Sequence, residues 1–170
     1  YKDVKEKSLI AKFKVKGKED EYILAWTTTP WTLPSNVGLC VNPDETYVRV
    51  KVQVDEKGNL ISSKGCGCNH DRHGKDRHDK EHDNEHQQAA PIAVSTERYI
   101  LAEALLNVIE GDYETLESFK GKELEYTEYE PLFDYADVDK KAFYVTCDHY
   151  VTLTDGTGVV HIAPAFGEDD

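Results

Sequence analysis

The segment at residues 27–36 constrains the fold most, because two prolines interrupt the chain directly after an apolar stretch at residues 22–26. Proline fixes the backbone angle φ and has no N–H group, so a strand does not run through both positions. Three consecutive threonines precede the first proline, and a tryptophan and a fourth threonine follow it. The sequence therefore predicts a strand that ends in a rigid loop lined with hydroxyl groups.

The segment at residues 156–170 has the same arrangement near the other end of the sequence. A Gly-Thr-Gly turn is followed by an apolar stretch, then His161, then a loop with proline and glycine that ends in acidic residues. Glycine tolerates a tight turn, and a short apolar stretch is typical of a buried strand. Two strand-to-loop transitions of this kind could form two walls of one pocket.

The chain has 170 residues, enough for one domain with a substantial core. It contains no methionine and begins with Tyr1, so we expect a piece of a longer protein. The sequence has no apolar run of about 18 residues and no signal-peptide pattern, which favours a soluble, cytoplasmic protein that does not cross a membrane. The formal charge of −13 opposes strong autonomous binding to nucleic acid.

Apolar periodicity predicts a mixed α/β domain that is rich in β-structure. Strands are expected at 13–16, 22–26, 38–41, 47–54, 142–154 (one or two strands) and 158–163. In the strand at 47–54, four alternating valines are expected on one face: Val48, Val50, Val52 and Val54. Turns and short strands are expected at 119–121 and 131–137. One helix is expected at 95–109, where six apolar residues recur at helical spacing: Ile100, Leu101, Ala104, Leu105, Val108 and Ile109. Ser95 could cap this helix and Gly111 could end it.

Residues 57–88 break every pattern, since they are poor in large apolar residues, dense in both signs of charge, and contain five of the seven histidines. This composition predicts an exposed, disordered insertion within the domain. Thiolates and imidazoles are ligands for zinc, copper and nickel. The candidates are Cys66, Cys68, His78, His82 and His86, the three histidines lying four residues apart. A metal-binding or interaction module at 66–86 is therefore an alternative function, although the spacing lacks a strict zinc-binding pattern.

No familiar nucleophile motif is present, so a reaction would depend on positioning and polarisation. Hydroxyl and backbone N–H groups of Thr27, Thr28 and Thr29 could donate to a developing oxyanion. Asp170 could bind a substrate ammonium group, and His161 could bound a small pocket or orient a water molecule. Each residue also has an ordinary structural explanation, so the argument rests on their clustering at two strand ends.

The runs TTTPWTLPSN at 27–36 and GTGVVHIAPAFGEDD at 156–170 resemble the two signature blocks of the editing domain of class I isoleucyl-tRNA synthetases. Trp31 and His161 favour the isoleucyl type, of the eukaryotic cytosolic kind, over the valyl and leucyl types. The resemblance extends to 97–105, 119–125 and 129–135, and residues 57–88 fall outside it. It implies a single editing domain over 1–170 with a barrel-like sheet, whose C-terminal part continues beyond this chain.

The resemblance implies a hydrolase that clears valine wrongly esterified to tRNA for isoleucine, and in some accounts valyl-adenylate. Thr27, Thr28 and Thr29 then contact the acyl group, the terminal adenosine and the attacking water. Trp31 and His161 line the side-chain pocket, Asn36 matches a position of the first block and is assigned to substrate binding, and Asp170 binds the α-ammonium.

Water would be the nucleophile, activated by a protein side chain or by a ribose hydroxyl of the substrate. Editing would need no cofactor and no metal, since ATP and magnesium serve the separate synthetic site of the parent enzyme. The partner would be the 3′ aminoacyl end of tRNA, presented by the rest of that enzyme.

Overall fold

The computed structural model of the protein describes residues 8–62, 94–133 and 141–164. In this part of the chain, eight strands form one mixed sheet. They are β1 (Leu9–Lys14), β2 (Glu21–Thr27), β3 (Gly38–Val41), β4 (Thr46–Val54), β5 (Ser95–Ala102), β6 (Tyr113–Lys120), β7 (Tyr144–Cys147) and β8 (Val159–Ile162). The same residues contain 3-10 helices at Pro30–Ser35, Glu103–Val108 and Gly121–Leu124. No helix among them is long and apolar enough to span a membrane.

The sheet branches at β2, and this branching gives it the curled, half-barrel form. Strand β1 pairs with β2 along the whole strand, from Leu9 opposite Thr27 to Lys14 opposite Tyr22. The other edge of β2 is divided, since its first half pairs with β5 and Trp26 pairs with Val160 of β8. The resulting order is β6-β4-β5-β2-β8-β3-β7. Because β2 and β8 are parallel, their carboxyl ends lie at the same edge of the sheet.

Apolar side chains pack on both faces of the central strands. One core cluster, which includes Phe13, Ile23, Tyr47, Ile100 and Val159, lies on one face. The other cluster contains Val48, Val50, Val52 and Val54, which confirms that these valines share one face of β4. Consecutive residues of β2, β4 and β5 belong to different clusters, because side chains alternate across a strand.

The helix predicted at 95–109 is wrong. Residues Ser95–Ala102 form β5, which pairs with β4 in an unbroken antiparallel register from Ser95 opposite Val54 to Ala102 opposite Tyr47. The four consecutive buried residues at 99–102 are compatible with a helix and equally with a strand that is covered on both faces. Pairing with the neighbouring strands makes this segment a strand. A short 3-10 helix, Glu103–Val108, accounts for the remaining helical spacing. The described residues contain no α-helix.

Strand β6 was not expected as a full strand. Its sequence is mostly polar, nearly all of its residues are exposed, and it pairs on one side only with β4 among the described strands. An edge strand whose two faces both contact solvent lacks the alternation of apolar and polar residues by which a strand is recognised in a sequence.

The first residues of the predicted insertion continue the hairpin after β4. Asp55 and Gly58 are joined by a backbone hydrogen bond, and Leu60 forms a bridge with Val54. The remainder of 57–88 and most of the turn predicted at 131–137 lie outside the described residues.

Candidate functional site

The segment after β2 turns into a 3-10 helix, Pro30–Ser35, that begins at the first proline. Proline suits the first turn of a helix, since its fixed φ is helical and its missing N–H is not needed there. The N–H of Thr32 donates to the carbonyl of Thr29, at 3.0 Å, and the N–H of Asn36 donates to that of Leu33, at 3.1 Å. The expected rigid loop is thus a single, tight helical element.

Three threonine side chains form a row of hydroxyls at the end of β2. The hydroxyls of Thr27 and Thr29 are 3.3 Å apart, and those of Thr29 and Thr32 are 3.4 Å apart. The N–H of Thr29 donates to the hydroxyl of Thr27 at 3.0 Å, which fixes the bend between them. Thr27 and Thr32 are buried, whereas Thr29 is exposed. We call Thr27, Thr29 and Thr32 the hydroxyl row.

The hydroxyl row ends at His161. The Thr32 hydroxyl and the Nε2 atom of His161 are 2.9 Å apart, and both side chains are buried. The same hydroxyl lies 2.8 Å from the carbonyl of Thr29, to which it donates. A hydroxyl carries one proton, so when that proton is given to the carbonyl, Nε2 must carry the hydrogen shared with Thr32. The two predicted strand-end segments therefore meet through side chains.

Pairing of β8 with two strands brings His161 to this position. Residue Val160 lies beside Trp26 of β2, and His161 lies opposite Leu39 of β3. Glycine is required in the turn before β8, since Gly156 and Gly158 have φ of +79° and +73°. A Cβ atom at Gly156 would come within 2.8 Å of the Trp26 side chain, and one at Gly158 within 2.5 Å of Ala102 Cβ. We call residues 156–158 the GTG turn.

A cavity of about 180 Å³ adjoins the GTG turn. Trp26 and Asp155 are among its lining residues, together with the hydroxyl-bearing side chains of Tyr150, Thr152 and Thr154. The hydroxyl row, His161 and Trp31 are not among the residues that line this cavity.

Asn36 is buried and fully engaged within the protein. Its Nδ2 donates to the carbonyl of Gly38 at 2.8 Å, and its Oδ1 accepts from the Tyr129 hydroxyl at 2.5 Å. A second carbonyl, that of Ile162, lies 3.4 Å from Nδ2. Burial raises the pKa of Tyr129, so this phenol remains a donor at neutral pH. Asn36 and Tyr129, here called the anchor pair, tie the end of the 3-10 helix to β3 and β8.

Trp31 points into solvent, with 72% of its surface exposed. Its neighbour Leu33 is buried in the core, so the 3-10 helix presents one apolar face inward and the indole outward. Packing in the core therefore does not explain this tryptophan, and its ring is accessible to a ligand. Thr28, three residues before Trp31, is half-buried.

The structure brings together three of the predicted catalytic residues, Thr27, Thr29 and His161, and adds Thr32, which sequence reasoning did not select. The signal for Thr32 was its spacing, because residues three apart eclipse each other in a 3-10 helix and Thr29 is three residues before it. Asp170 lies outside the described residues.

The metal candidates Cys66, Cys68, His78, His82 and His86 also lie outside the described residues. Within 8–62, 94–133 and 141–164, no group of three or more His, Cys, Asp or Glu side chains could hold a metal ion.

Comparison with known proteins identifies similar sequences over the whole chain. An isoleucine–tRNA ligase of Clostridium acetobutylicum is 48% identical over 170 residues, which are all of this chain and 12% of that protein. The cytoplasmic isoleucine–tRNA ligase of Mus musculus is 39% identical over 175 residues, covering all of this chain and 11% of that protein. Bacterial and eukaryotic relatives thus both match, so the comparison does not single out a eukaryotic type. No protein-family model matches the sequence.

Comparison with solved structures supports the fold. The editing domain of the P. knowlesi cytosolic leucyl-tRNA synthetase superimposes with a TM-score of 0.51 and 18% sequence identity, over 84% of this chain and 46% of that one. The chain spans about 12% of the length of the curated ligases that it matches. It belongs to the isoleucyl-tRNA synthetase family and has the fold of a class I synthetase editing domain.

Proposed function

We propose that this domain hydrolyses the ester bond of tRNA that has been charged with valine instead of isoleucine. Water attacks the ester carbonyl, the tetrahedral oxyanion collapses, and valine and free tRNA are released without a covalent enzyme intermediate. The same pocket would take valyl-adenylate, which presents the same acyl group. ATP and magnesium belong to the separate synthetic site of the complete ligase.

The need for this activity follows from the size of the amino acids. Valine is smaller than isoleucine by one methylene, and a synthetic pocket gains only about 1 to 3 kcal/mol from that difference. A second pocket that admits valine and excludes isoleucine supplies the missing discrimination. Such a pocket needs a fixed wall against the side chain and hydrogen-bond donors near the ester.

The hydrogen bond between Thr32 and His161 is the observation that carries the proposal. It joins the hydroxyl row, which supplies donors, to a buried imidazole, which supplies a wall of fixed position. Within the row, the hydroxyls of Thr27 and Thr29 lie close enough to exchange donors and acceptors when a ligand enters. Preorganised donors of this type stabilise an oxyanion at little cost in reorganisation.

Trp31, Thr28 and Asp170 complete the site in this proposal. The exposed Trp31 indole contacts the acyl or adenosine part of the substrate, and Thr28 donates from the same loop. Asp170 binds the α-ammonium as a charge-assisted hydrogen-bond acceptor. Asn36 holds the loop in place through the anchor pair, and this role replaces direct substrate binding in our assignment.

The charge of the chain bears on how the tRNA reaches the site. With a formal charge of −13, the domain repels a phosphate backbone, so the remainder of the ligase must present the 3′ end. Two of the relatives are cytoplasmic ligases by name, and we place the activity in the cytoplasm.

The proposal is tested in the complete ligase that contains this chain, supplied with valyl-tRNA and isoleucyl-tRNA for isoleucine. We expect hydrolysis of the valyl ester to exceed that of the isoleucyl ester by roughly 100-fold, as a size-excluding pocket requires. Asp170→Ala should abolish most of this hydrolysis while leaving aminoacylation intact. Preference for the isoleucyl ester, or unchanged hydrolysis in Asp170→Ala, would contradict the proposal or the role of Asp170, respectively.

A further inference from the structure

Tyr47 of β4 connects the end of β3 to the GTG turn. Its side chain has 0% exposure, and its hydroxyl donates to the carbonyl of Gly158 at 2.5 Å. The same oxygen accepts a hydrogen bond from the N–H of Asn42, at 3.1 Å, in the loop after β3. Asn42 in turn donates from Nδ2 to the carbonyl of Val151, at 3.0 Å. One phenol thus links the loop after β3 to the GTG turn, which lies 111 positions from Tyr47 in sequence.

The GTG turn is held from one side by adjacent strands. The carbonyl of Thr157 accepts from the N–H of Ala102 at 2.8 Å, and Ala102 is the register partner of Tyr47. The next carbonyl along the chain, that of Gly158, accepts its hydrogen bond from the Tyr47 hydroxyl. Both glycines have left-handed backbone conformations, and the turn also packs closely against Trp26 and Ala102.

The position of this turn determines the position of His161 in the candidate site. Gly156 packs against Trp26, with no room for a Cβ atom between them. Gly158 directly precedes β8, where His161 follows three residues later and contacts Thr32. A shift of the turn would therefore move the imidazole at the end of the hydroxyl row.

The chemistry of the phenol suits a fixed donor. Burial raises the pKa of Tyr47 to about 12, so its hydroxyl keeps its proton throughout the physiological range. The residue therefore contributes a constant geometry and no titration of its own between pH 6 and 9.

We propose that Tyr47 is a positioning residue for ester hydrolysis, whose hydroxyl fixes the GTG turn and thereby sets the valyl-over-isoleucyl preference of the pocket. The inference rests on the proposed editing function and adds a residue that touches no substrate. It assigns specificity to a hydrogen bond behind the pocket wall.

Tyr99 provides a matched control on the neighbouring strand. It is also a buried tyrosine, and its hydroxyl also makes a short hydrogen bond, to Glu97 at 2.6 Å. That bond lies in the opposite core cluster and involves neither the GTG turn nor β8. Tyr47→Phe and Tyr99→Phe therefore remove the same hydroxyl from two buried rings, with only the first expected to affect the pocket.

The experiment compares wild type, Tyr47→Phe and Tyr99→Phe in the complete ligase, with kcat/KM measured for hydrolysis of both valyl-tRNA and isoleucyl-tRNA. Tyr47→Phe should lower the valyl rate about tenfold and reduce the valyl-to-isoleucyl ratio by about fivefold, because misplacement of the wall affects the two substrates unequally. Tyr99→Phe should leave that ratio unchanged. The pH profile of Tyr47→Phe should keep the wild-type shape at a lower height.

The outcomes separate the inference from the function on which it rests. If wild type does not hydrolyse valyl-tRNA, the proposed function fails. If wild type is active and Tyr47→Phe lowers the valyl and isoleucyl rates by the same factor, the Tyr47 hydroxyl only maintains the folded population. The inference is then wrong. An unchanged rate and ratio in Tyr47→Phe would also overturn it.

Discussion

The two ends of the segment at residues 27–36 use their polar groups differently. At the first end, the hydroxyl row bonds largely within itself and to His161. At the second end, the anchor pair bonds to the main chain of β3 and to itself. A hydroxyl rotates about its C–O bond and can exchange a neighbour for a ligand, whereas an amide held by a backbone carbonyl has one orientation.

Exposure supports this division. Thr29 is exposed and Thr28 is half-buried, so a ligand can reach them. Asn36 has only 5% exposure and is enclosed by β3, β8 and the Tyr129 ring. Leaving a buried polar group without its hydrogen-bond partner lowers the free energy of unfolding by about 1 to 3 kcal/mol. Substitutions in the hydroxyl row should therefore lower mainly the rate of hydrolysis, and substitutions in the anchor pair should lower mainly the stability of the fold.

The largest expected effect is the loss of hydrolysis in Thr29→Val. Valine keeps the branched shape and removes one hydroxyl donor, which should lower hydrolysis of valyl-tRNA about 100-fold, or roughly 2.7 kcal/mol of barrier. The free energy of unfolding should change by less than about 0.5 kcal/mol, because the side chain is exposed. Rates are measured in the complete ligase and stability by denaturant titration.

Thr115→Val is the matched control for Thr29→Val, since Thr115 is an exposed threonine on the edge strand β6. Thr115→Val should change neither the hydrolysis of valyl-tRNA nor the free energy of unfolding. Equal loss of hydrolysis in both variants would show that the hydroxyl row has no special role.

The second effect is the loss of stability in Asn36→Ala. This change removes the donor to Gly38 and the acceptor of the Tyr129 hydroxyl, so the free energy of unfolding should fall by about 2 kcal/mol. Asn59→Ala, at an exposed asparagine in the hairpin after β4, should cost less than about 0.5 kcal/mol. Denaturant midpoints measure both. If Asn36→Ala were as stable as wild type and yet inactive, Asn36 would bind substrate and the comparison of the two ends would be wrong.

The sequence was sufficient to predict the part of the fold in which strands carry a local signal. Prolines at 30 and 34 fixed the end of β2, and alternating valines identified β4 and its inward face. The meeting of residues 27–36 with His161 was expected from two similar strand-to-loop patterns. Local residue types determine the first two features, whereas the third joins Thr32 to His161 across 129 positions and was inferred from the similarity of the two patterns.

Long-range pairing determines what the sequence did not reveal. Residues 95–102 became a strand because β4 and β2 lie on either side of them, and their own spacing favoured a helix. The hydrogen bond from the Tyr129 hydroxyl to the amide of Asn36 spans 93 positions. The bond from Tyr47 to Gly158 spans 111 positions. No local pattern encodes contacts of this kind.

The smallest effect concerns the anchor pair at alkaline pH. Tyr129→Phe removes one hydrogen bond and keeps the edge contacts of the ring with Phe13 and Phe143, so at pH 8 it should lower the free energy of unfolding by about 1 kcal/mol. Burial raises the pKa of Tyr129 above its ordinary value of 10.0, so above that pH the unfolded chain loses a proton that the folded chain keeps. The contribution of the Tyr129 phenol to the free energy of unfolding is therefore complete below pH 10 and declines as the pH rises above 10.

The stability difference between wild type and Tyr129→Phe should thus shrink by about 1 kcal/mol between pH 9 and pH 11. Denaturant titrations at several pH values measure it, and the other buried tyrosines cancel because both proteins contain them. A difference that stayed constant to pH 11 would mean that the Tyr129 phenol ionises equally in both states. The anchor pair would then be open to solvent, and the two ends of the segment would differ less than their hydrogen bonds indicate.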